Sequence, residues 1–380
     1  MKIRNFKKRM VSAAVILSVF TLMFSFCGCK KEEPEPEPEV VAEEEPEPEP
    51  EVVEEPVVEE YTGPRSILTG LPISEELSKK RPIAIMTENT KMCLPQYGLN
   101  EAGVIYEAPM EGGYSRLMAI YDDVSGRSQL GNVRSTRPYF IWTANEYDAI
   151  LFHCGQSIHA KVLLDDGIID DVNGVLGEGE IAYFRTSEHK IPHNMYTSEE
   201  AINKGIEYKK YRTELKEDYE GHFKFAKDSE ENTLTSGEDC VVVKPYYPYN
   251  KPGFIYDAEK KQYKRYQFGD KQVDHVDNDN QVTFDNIIIE YCRCGLYPNT
   301  EYVDASIVNA DGVGKFLTRG KMIDIKWQKG SDSSITHFYD NNGNEIELNQ
   351  GRTWICIADG QYIDKLQCYA TEADYEAAKQ

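Results

Sequence analysis

The densest chemical signal in the chain is Asn132-Val133-Arg134-Ser135-Thr136-Arg137-Pro138. Two guanidiniums flank Ser135 and Thr136, either of which can cap a helix, and Pro138 is preorganised for a first helical turn. A helix start offers free backbone N–H groups and the positive end of a dipole. With Arg134 and Arg137 beside it, this is an anion site suited to carboxylate or phosphate. Arg116 follows Glu111-Gly112-Gly113-Tyr114-Ser115 and supplies a third cation. Asn89 and Asn194 complete the polar ligand set. The alternative is a structural network of these arginines with Glu88, Glu107 or Glu111. Several guanidiniums cannot be buried without partners, so one of the two readings must hold.

His189-Lys190-Ile191-Pro192-His193-Asn194 adds two imidazoles. Pro192 breaks a regular helical i, i+4 histidine face, so no zincin-like metal site is expected. His193 and His153 are the candidate proton carriers, with Glu107 or Glu111 as partners. Cys154 and Ser157 stand near His153, but no G-x-S-x-G elbow supports a nucleophile. Asp277-Asn278-Asp279-Asn280 lacks the glycine and terminal glutamate of an EF-hand and reads as a turn. No cofactor and no metal is expected.

The elements that must position these groups alternate. Apolar runs at 82–86, 103–106, 116–121 and 148–152 read as strands, and 137–145 and 197–219 as helices. This alternation predicts an α/β domain, an open mixed sheet with helices, over 64–225. Residues 226–238 are polar and read as a linker. A β-rich domain follows over 239–362. Its strands are expected at 240–243, 281–291, 307–309, 322–327 and 353–357, and its hairpins at 256–266 and 338–346, the second around an Asn-Gly turn. A polar helical tail closes the chain at 363–380. Polar residues gather after the upstream strands: Thr87-Glu88-Asn89, Glu107, and His153 to Ser157. Parallel strands would bring them to one rim, where open α/β sheets hold ligands.

The amino terminus sets the compartment. Five basic residues lie in positions 1–9, Val11 to Phe26 carry no charge, and Gly28-Cys29 follows. This reads as an export signal over 1–28 with Cys29 placed to take a lipid; the alternative is an uncleaved membrane anchor, and both readings place the rest outside the cytoplasmic membrane. Acyl chains contribute about 0.8 kcal/mol per buried methylene, so a multiply acylated cysteine anchors stably. Residues 29–63 then form a stalk in which glutamates alternate with prolines. Fixed φ angles and like charges predict an extended, disordered tether. The 380 residues carry a net charge of −23. Removing the seven basic residues of positions 1–31 and the 15 glutamates of 32–60 leaves −15 for residues 61–380. That balance argues against nucleic acid as a partner, since phosphate neutralisation needs a basic face. Nine cysteines occur. Setting aside Cys27 and Cys29 leaves seven, so at least one thiol is unpaired.

These segments are similar to a known family. RPIAIMTENTKMCLPQYGLNEAGVIYEAPMEGGYSRLMAIY, GNVRSTRPYF, LFHCGQS and IPHNMY resemble the amino-terminal domain of YerB-like bacterial lipoproteins. GVGKFLTRGKMIDIKWQKG and THFYDNNGNEIELNQGRTWICI resemble that family's carboxyl-terminal domain. The resemblance implies an exported, lipid-anchored, two-domain protein and supplies no reaction. Arg134, Arg137, Glu107, Glu111, Arg116, His193 and Asn194 match the family's motifs. Asn132, Thr136 and Cys154 depart from them.

The leading expectation is therefore a binding or accessory module. It would be anchored in the cell membrane by lipid, on the extracytoplasmic face, and recognise an anionic cell-wall ligand or an envelope protein. A second expectation is an enzyme acting on an anionic envelope substrate through histidine and glutamate beside the arginines. A third is a structural head with no pocket.

Overall fold

The computed structural model describes residues 59–379. The export signal, Cys29 and the stalk up to residue 58 lie outside the described residues.

The fold is built on a mixed sheet of twelve strands. Its amino-terminal members are β1 (Ile83–Thr87), β2 (Val104–Pro109), β3 (Ser115–Tyr121), β4 (Ile150–His153) and β5 (Asp171–Asn173). Its carboxyl-terminal members include β6 (Glu238–Asp239), β7 (Asn286–Leu296), β8 (Ala310–Thr318), β9 (Lys321–Lys329) and β10 (Thr353–Asp359). The spatial order is β6-β9-β8-β7-β10-β2-β3-β1-β4-β5. A second, six-stranded antiparallel sheet contains 242–244, 253–257, 262–267 and 367–369. The amino-terminal part is thus mixed α/β and the carboxyl-terminal part is strand-rich, and both contribute to one sheet. β10 joins them, running parallel to β2 on one side and to β7 on the other.

The main sheet is buried on both faces, which explains why its strands read as continuous apolar runs. Successive side chains alternate between faces. Ala84 and Met86 of β1 join one core with Val104, Tyr106, Ile288 and Ile355. Helix α1 (Pro138–Asn145) covers that face with Tyr139, Phe140, Ile141 and Ala144. Ile83 and Ile85 join the other core with Ile105, Leu117 and Phe152. There the cover comes from Ile202 and Ile206 of α3 (Glu199–Lys209) and from Val243, Phe254 and Tyr263 of the second sheet. Between α1 and α3 lies α2 (Ile158–Asp165), capped by Ser157.

Several local expectations need correction. Neither Ser135 nor Thr136 caps α1; Arg137 occupies the cap position and makes no side-chain cap bond. Residues 133–136 are drawn into extended pairing instead: the N–H groups of Arg134 and Thr136 donate to the carbonyls of Met86 and Gly155, and Cys154 N–H donates to Arg134. The helix begins only at Pro138, which has no N–H to satisfy. The helix expected over 197–219 stops at Lys209, because Lys210 turns left-handed at φ 58°. The following residues are pulled to Asp148, which accepts from Arg212 and from the N–H of Lys216. Residues 307–309 form the bend before β8 rather than a strand, with Asn309 at φ 51°. Within the polar stretch 226–238, Leu234 is buried, Asn232 exchanges hydrogen bonds with Asn349, and Glu238 begins β6. Cys240 and Cys368 are joined as a disulfide with Cα atoms 5.6 Å apart, and Cys93, Cys292, Cys294 and Cys356 are buried free thiols.

Candidate functional site

β1, β2, β4, β5, β7 and β10 all point the same way, and β3, which lies between β1 and β2, opposes them. Their carboxyl ends meet at one rim, where the first residues of β3 also lie. The extended segment 132–137 crosses this rim, bonded to the ends of β1 and β4. Arg116, Arg134 and Arg137 converge here for that reason.

Their partners differ. Arg137 clasps Glu111 with two bonds, Nε to Oε1 at 2.9 Å and Nη2 to Oε2 at 2.7 Å. Glu111 also accepts from the N–H of Val303 at 3.1 Å, and the guanidinium lies over Tyr302. Burial raises the Glu111 carboxyl, but Arg137 outweighs it and holds the group below its ordinary value. Arg134 Nε stands 3.3 Å from Glu88 Oε2. The other oxygen of Glu88 is 2.7 Å from His193 Nδ1 and accepts from Thr90 at 2.9 Å. Glu88 is buried, so an imidazole and a guanidinium share one desolvated carboxylate.

Arg116 is different. It is half-buried, donates once, to the carbonyl of Ser135 at 2.7 Å, and has no carboxylate within ion-pair distance among the described residues. Burial, with Arg137 and Arg134 nearby, pushes its pKa down to about 10. It stays charged at neutral pH, but in surroundings that disfavour the charge. Each nearby acid is committed elsewhere: Glu111 to Arg137, Glu88 to Arg134 and His193, Glu107 to Arg265. The cluster holds three guanidiniums against two carboxylates, leaving one positive charge uncompensated when His193 is neutral.

The other expected residues are distributed as follows. Glu107 is fully buried and pairs with Arg265 at 2.7 Å, accepting also from Ser115 at 2.6 Å and Asn89 at 3.3 Å. Arg265 stacks on Phe254 and Trp354. Glu107 and Asn89 thus belong to a sealed network under the rim. His153 is also sealed, with Nδ1 2.8 Å from Gly155 O and Nε2 2.9 Å from Asp171. Asn194 is turned to Arg185 and Thr186. Thr136 is buried, and Ser135 offers its carbonyl to Arg116. Burial raises the Cys154 thiol, which weakens it as a nucleophile. No group of three or more His, Cys, Asp or Glu that could hold a metal occurs among the described residues. Of the expected set, the structure therefore brings together Arg116, Arg134, Arg137, Ser135, Glu111 and His193, with Glu88 at the centre. Arg265 went unseen because its partner lies 158 residues away. Glu88, expected as an arginine partner, takes that place from its position immediately after β1.

This chain belongs to the family described as protein of unknown function DUF3048: its amino-terminal domain matches residues 68–212 and its carboxyl-terminal domain residues 242–355. The chain is 28% identical over 296 residues to a Bacillus subtilis (strain 168) protein, "Putative lipoprotein YerB", covering 76% of this chain and 85% of that one. The crystal structure of YerB from Bacillus subtilis superposes with a TM-score of 0.70 at 26% identity, covering 80% of this chain and 99% of the other. No helix among the described residues is long and apolar enough to cross a membrane.

Proposed function

We propose that this protein is an exported accessory module of the cell envelope, held to the membrane by a lipid on Cys29, whose head captures an anionic group at Arg116 and Arg134. The similarity to a protein described as a lipoprotein supports the exported placement, together with the basic start, the uncharged run and the cysteine at position 29. The Pro/Glu-rich stretch between Cys29 and the head would serve as the tether. One observation carries the binding reading: among the described residues, Arg116 is half-buried with a single hydrogen bond and no carboxylate in ion-pair distance. A carboxylate or phosphate entering beside it would satisfy the donors that the fold leaves unspent, as a charge-assisted bidentate contact. Arg134 adds a second cation, since one carboxylate oxygen at 3.3 Å does not exhaust its fork.

Calorimetric titration with inorganic phosphate and with a short dicarboxylate tests this reading. Arg116→Met is expected to weaken binding at least tenfold while leaving the melting temperature within a few degrees. Equal binding by that variant would refute it. For the anchor, Cys29→Ser is expected to move the protein from the membrane fraction to the medium.

A second reading is favoured by the His193–Glu88 contact at 2.7 Å beside Arg134. A carboxylate-oriented imidazole next to cations is an arrangement for acid-base work on an anionic substrate. Turnover of an envelope phosphoester or ester that is lost in His193→Gln would establish it.

A further inference from the structure

A cleft of about 620 Å³ opens at the same rim on the far side of Glu111. It lies where the β2–β3 connection faces the ends of β7 and β10, so its two walls come from opposite halves of the chain. That volume is in the range of small-ligand sites. Its walls are aromatic. Tyr246 and Tyr362 pack with ring centroids 4.8 Å apart, tilted at 48°, and both stay about 40% exposed. Tyr114 forms the opposite wall and rests on Tyr249 at 4.0 Å. Exposed apolar surface gathered into one concave patch, rather than scattered singly, marks an interaction site.

The charge of the cleft is one-sided. Its lining holds Glu111, Glu301 and Asp359 and no lysine, arginine or histidine. Glu111 is neutralised by Arg137. Glu301 has no hydrogen-bond or ion-pair partner among the described residues. Asp359 accepts from Gln361, through its backbone N–H at 3.0 Å and its side-chain amide at 3.5 Å, but meets no cation. Two carboxylates without counter-ions therefore sit among tyrosine faces. A cation over an aromatic face is held by the ring quadrupole, and a carboxylate beside it adds direct attraction.

From this we infer that the cleft is a second binding site, for a ligand carrying a primary ammonium on an apolar frame: the lysine side chain of a peptide or an amino sugar. Tyr246, Tyr362 and Tyr114 would cover the frame and the face of the cation. Glu301 and Asp359 would pair with the ammonium. The site is separate from the arginine cluster and opposite to it in sign, with the Arg137–Glu111 pair as the wall between them.

The test is titration of the full chain, in detergent, with four probes: a blocked tripeptide with a central lysine, its Nε-acetyl form, a glucosamine trimer and the N-acetylglucosamine trimer. Binding is read by calorimetry and by tyrosine fluorescence. At least one amine is expected to bind, with its acetylated partner at least tenfold weaker; which amine binds assigns the source. Glu301→Gln with Asp359→Asn, and separately Tyr246→Ala with Tyr362→Ala, are each expected to reduce amine binding about tenfold with an unchanged circular dichroism spectrum. The proposal is overturned if neither amine binds the folded protein. It is also overturned if acetylated and free forms bind alike, or if both variants bind as the parent does.

Discussion

Glu290 sits in β7, buried, with Oε1 lacking any hydrogen-bond partner. Across from it lies Glu146, whose two oxygens take His222 at 2.6 Å, Lys329 at 2.8 Å and both the N–H and hydroxyl of Thr336. Lys329 is therefore committed, and among the described residues no cation pairs with Glu290. Burial first, and the Glu146 charge second, push the Glu290 carboxyl from 4.5 up to about 8. Between those values the native protein holds a proton that the unfolded chain releases, so stability must fall as pH rises. Each pH step in that window costs about 1.4 kcal/mol, so about 3 kcal/mol is lost by pH 7 and about 5 kcal/mol at pH 8 and above. Glu290→Gln keeps the shape and removes the ionisation. The variant is expected to match the parent near pH 4.5 and to exceed it progressively up to pH 8. Urea denaturation of both proteins at half-unit intervals from pH 5 to 8 measures the difference. The readout is its slope, which a constant packing offset does not move. A difference that stays flat with pH would refute the claim that this carboxyl is protonated in the native state.

Other outcomes follow from the same network. Glu107→Ala leaves Arg265 buried without its counter-charge and is expected to cost about 3–5 kcal/mol in urea denaturation. The Cys240–Cys368 bond closes a loop over a sequence separation of 128 residues. Cys240→Ser should lower stability by up to about 5 kcal/mol, and the oxidised protein should gain one reactive thiol, from Cys368. Glu88→Gln removes the charge shared by Arg134 and His193, and should tighten phosphate binding roughly fivefold, about 1 kcal/mol of relieved repulsion. Adding salt should shrink that gain, because the site is open to solvent on one side.

The strands β1 to β4 and helix α1 were legible because their signals are local. An apolar run bounded by polar residues, or a proline at a first turn, needs no distant partner to be recognised. The same locality misled elsewhere. Residues 197–219 have helical composition throughout, yet Asp148 draws Arg212 and Lys216 out of the helix. Ser135 and Thr136 are good capping residues, but backbone pairing with the ends of β1 and β4 uses the segment first. The tyrosine cleft was not foreseen at all, although Tyr246-Tyr247-Pro248-Tyr249 marks an aromatic cluster. Only two of those tyrosines line the cleft, and its opposite wall comes from residue 114.

By itself the sequence determined the classes of element, the mixed α/β and strand-rich halves, the acidic surface and the family. These depend on composition and short-range order, which survive without a fold. Only the tertiary structure decided which acid meets which arginine. Sequence separation does not predict the pairing: Glu111 and Glu107 are the acids nearest to Arg116 along the chain, and neither pairs with it. The sheet sends Glu107 inward to Arg265, gives Glu111 to Arg137 and Glu88 to Arg134, and leaves Arg116 with the Ser135 carbonyl and no carboxylate among the described residues. Strand direction and register set those pairings, and both are fixed by hydrogen bonds between segments that lie far apart along the chain.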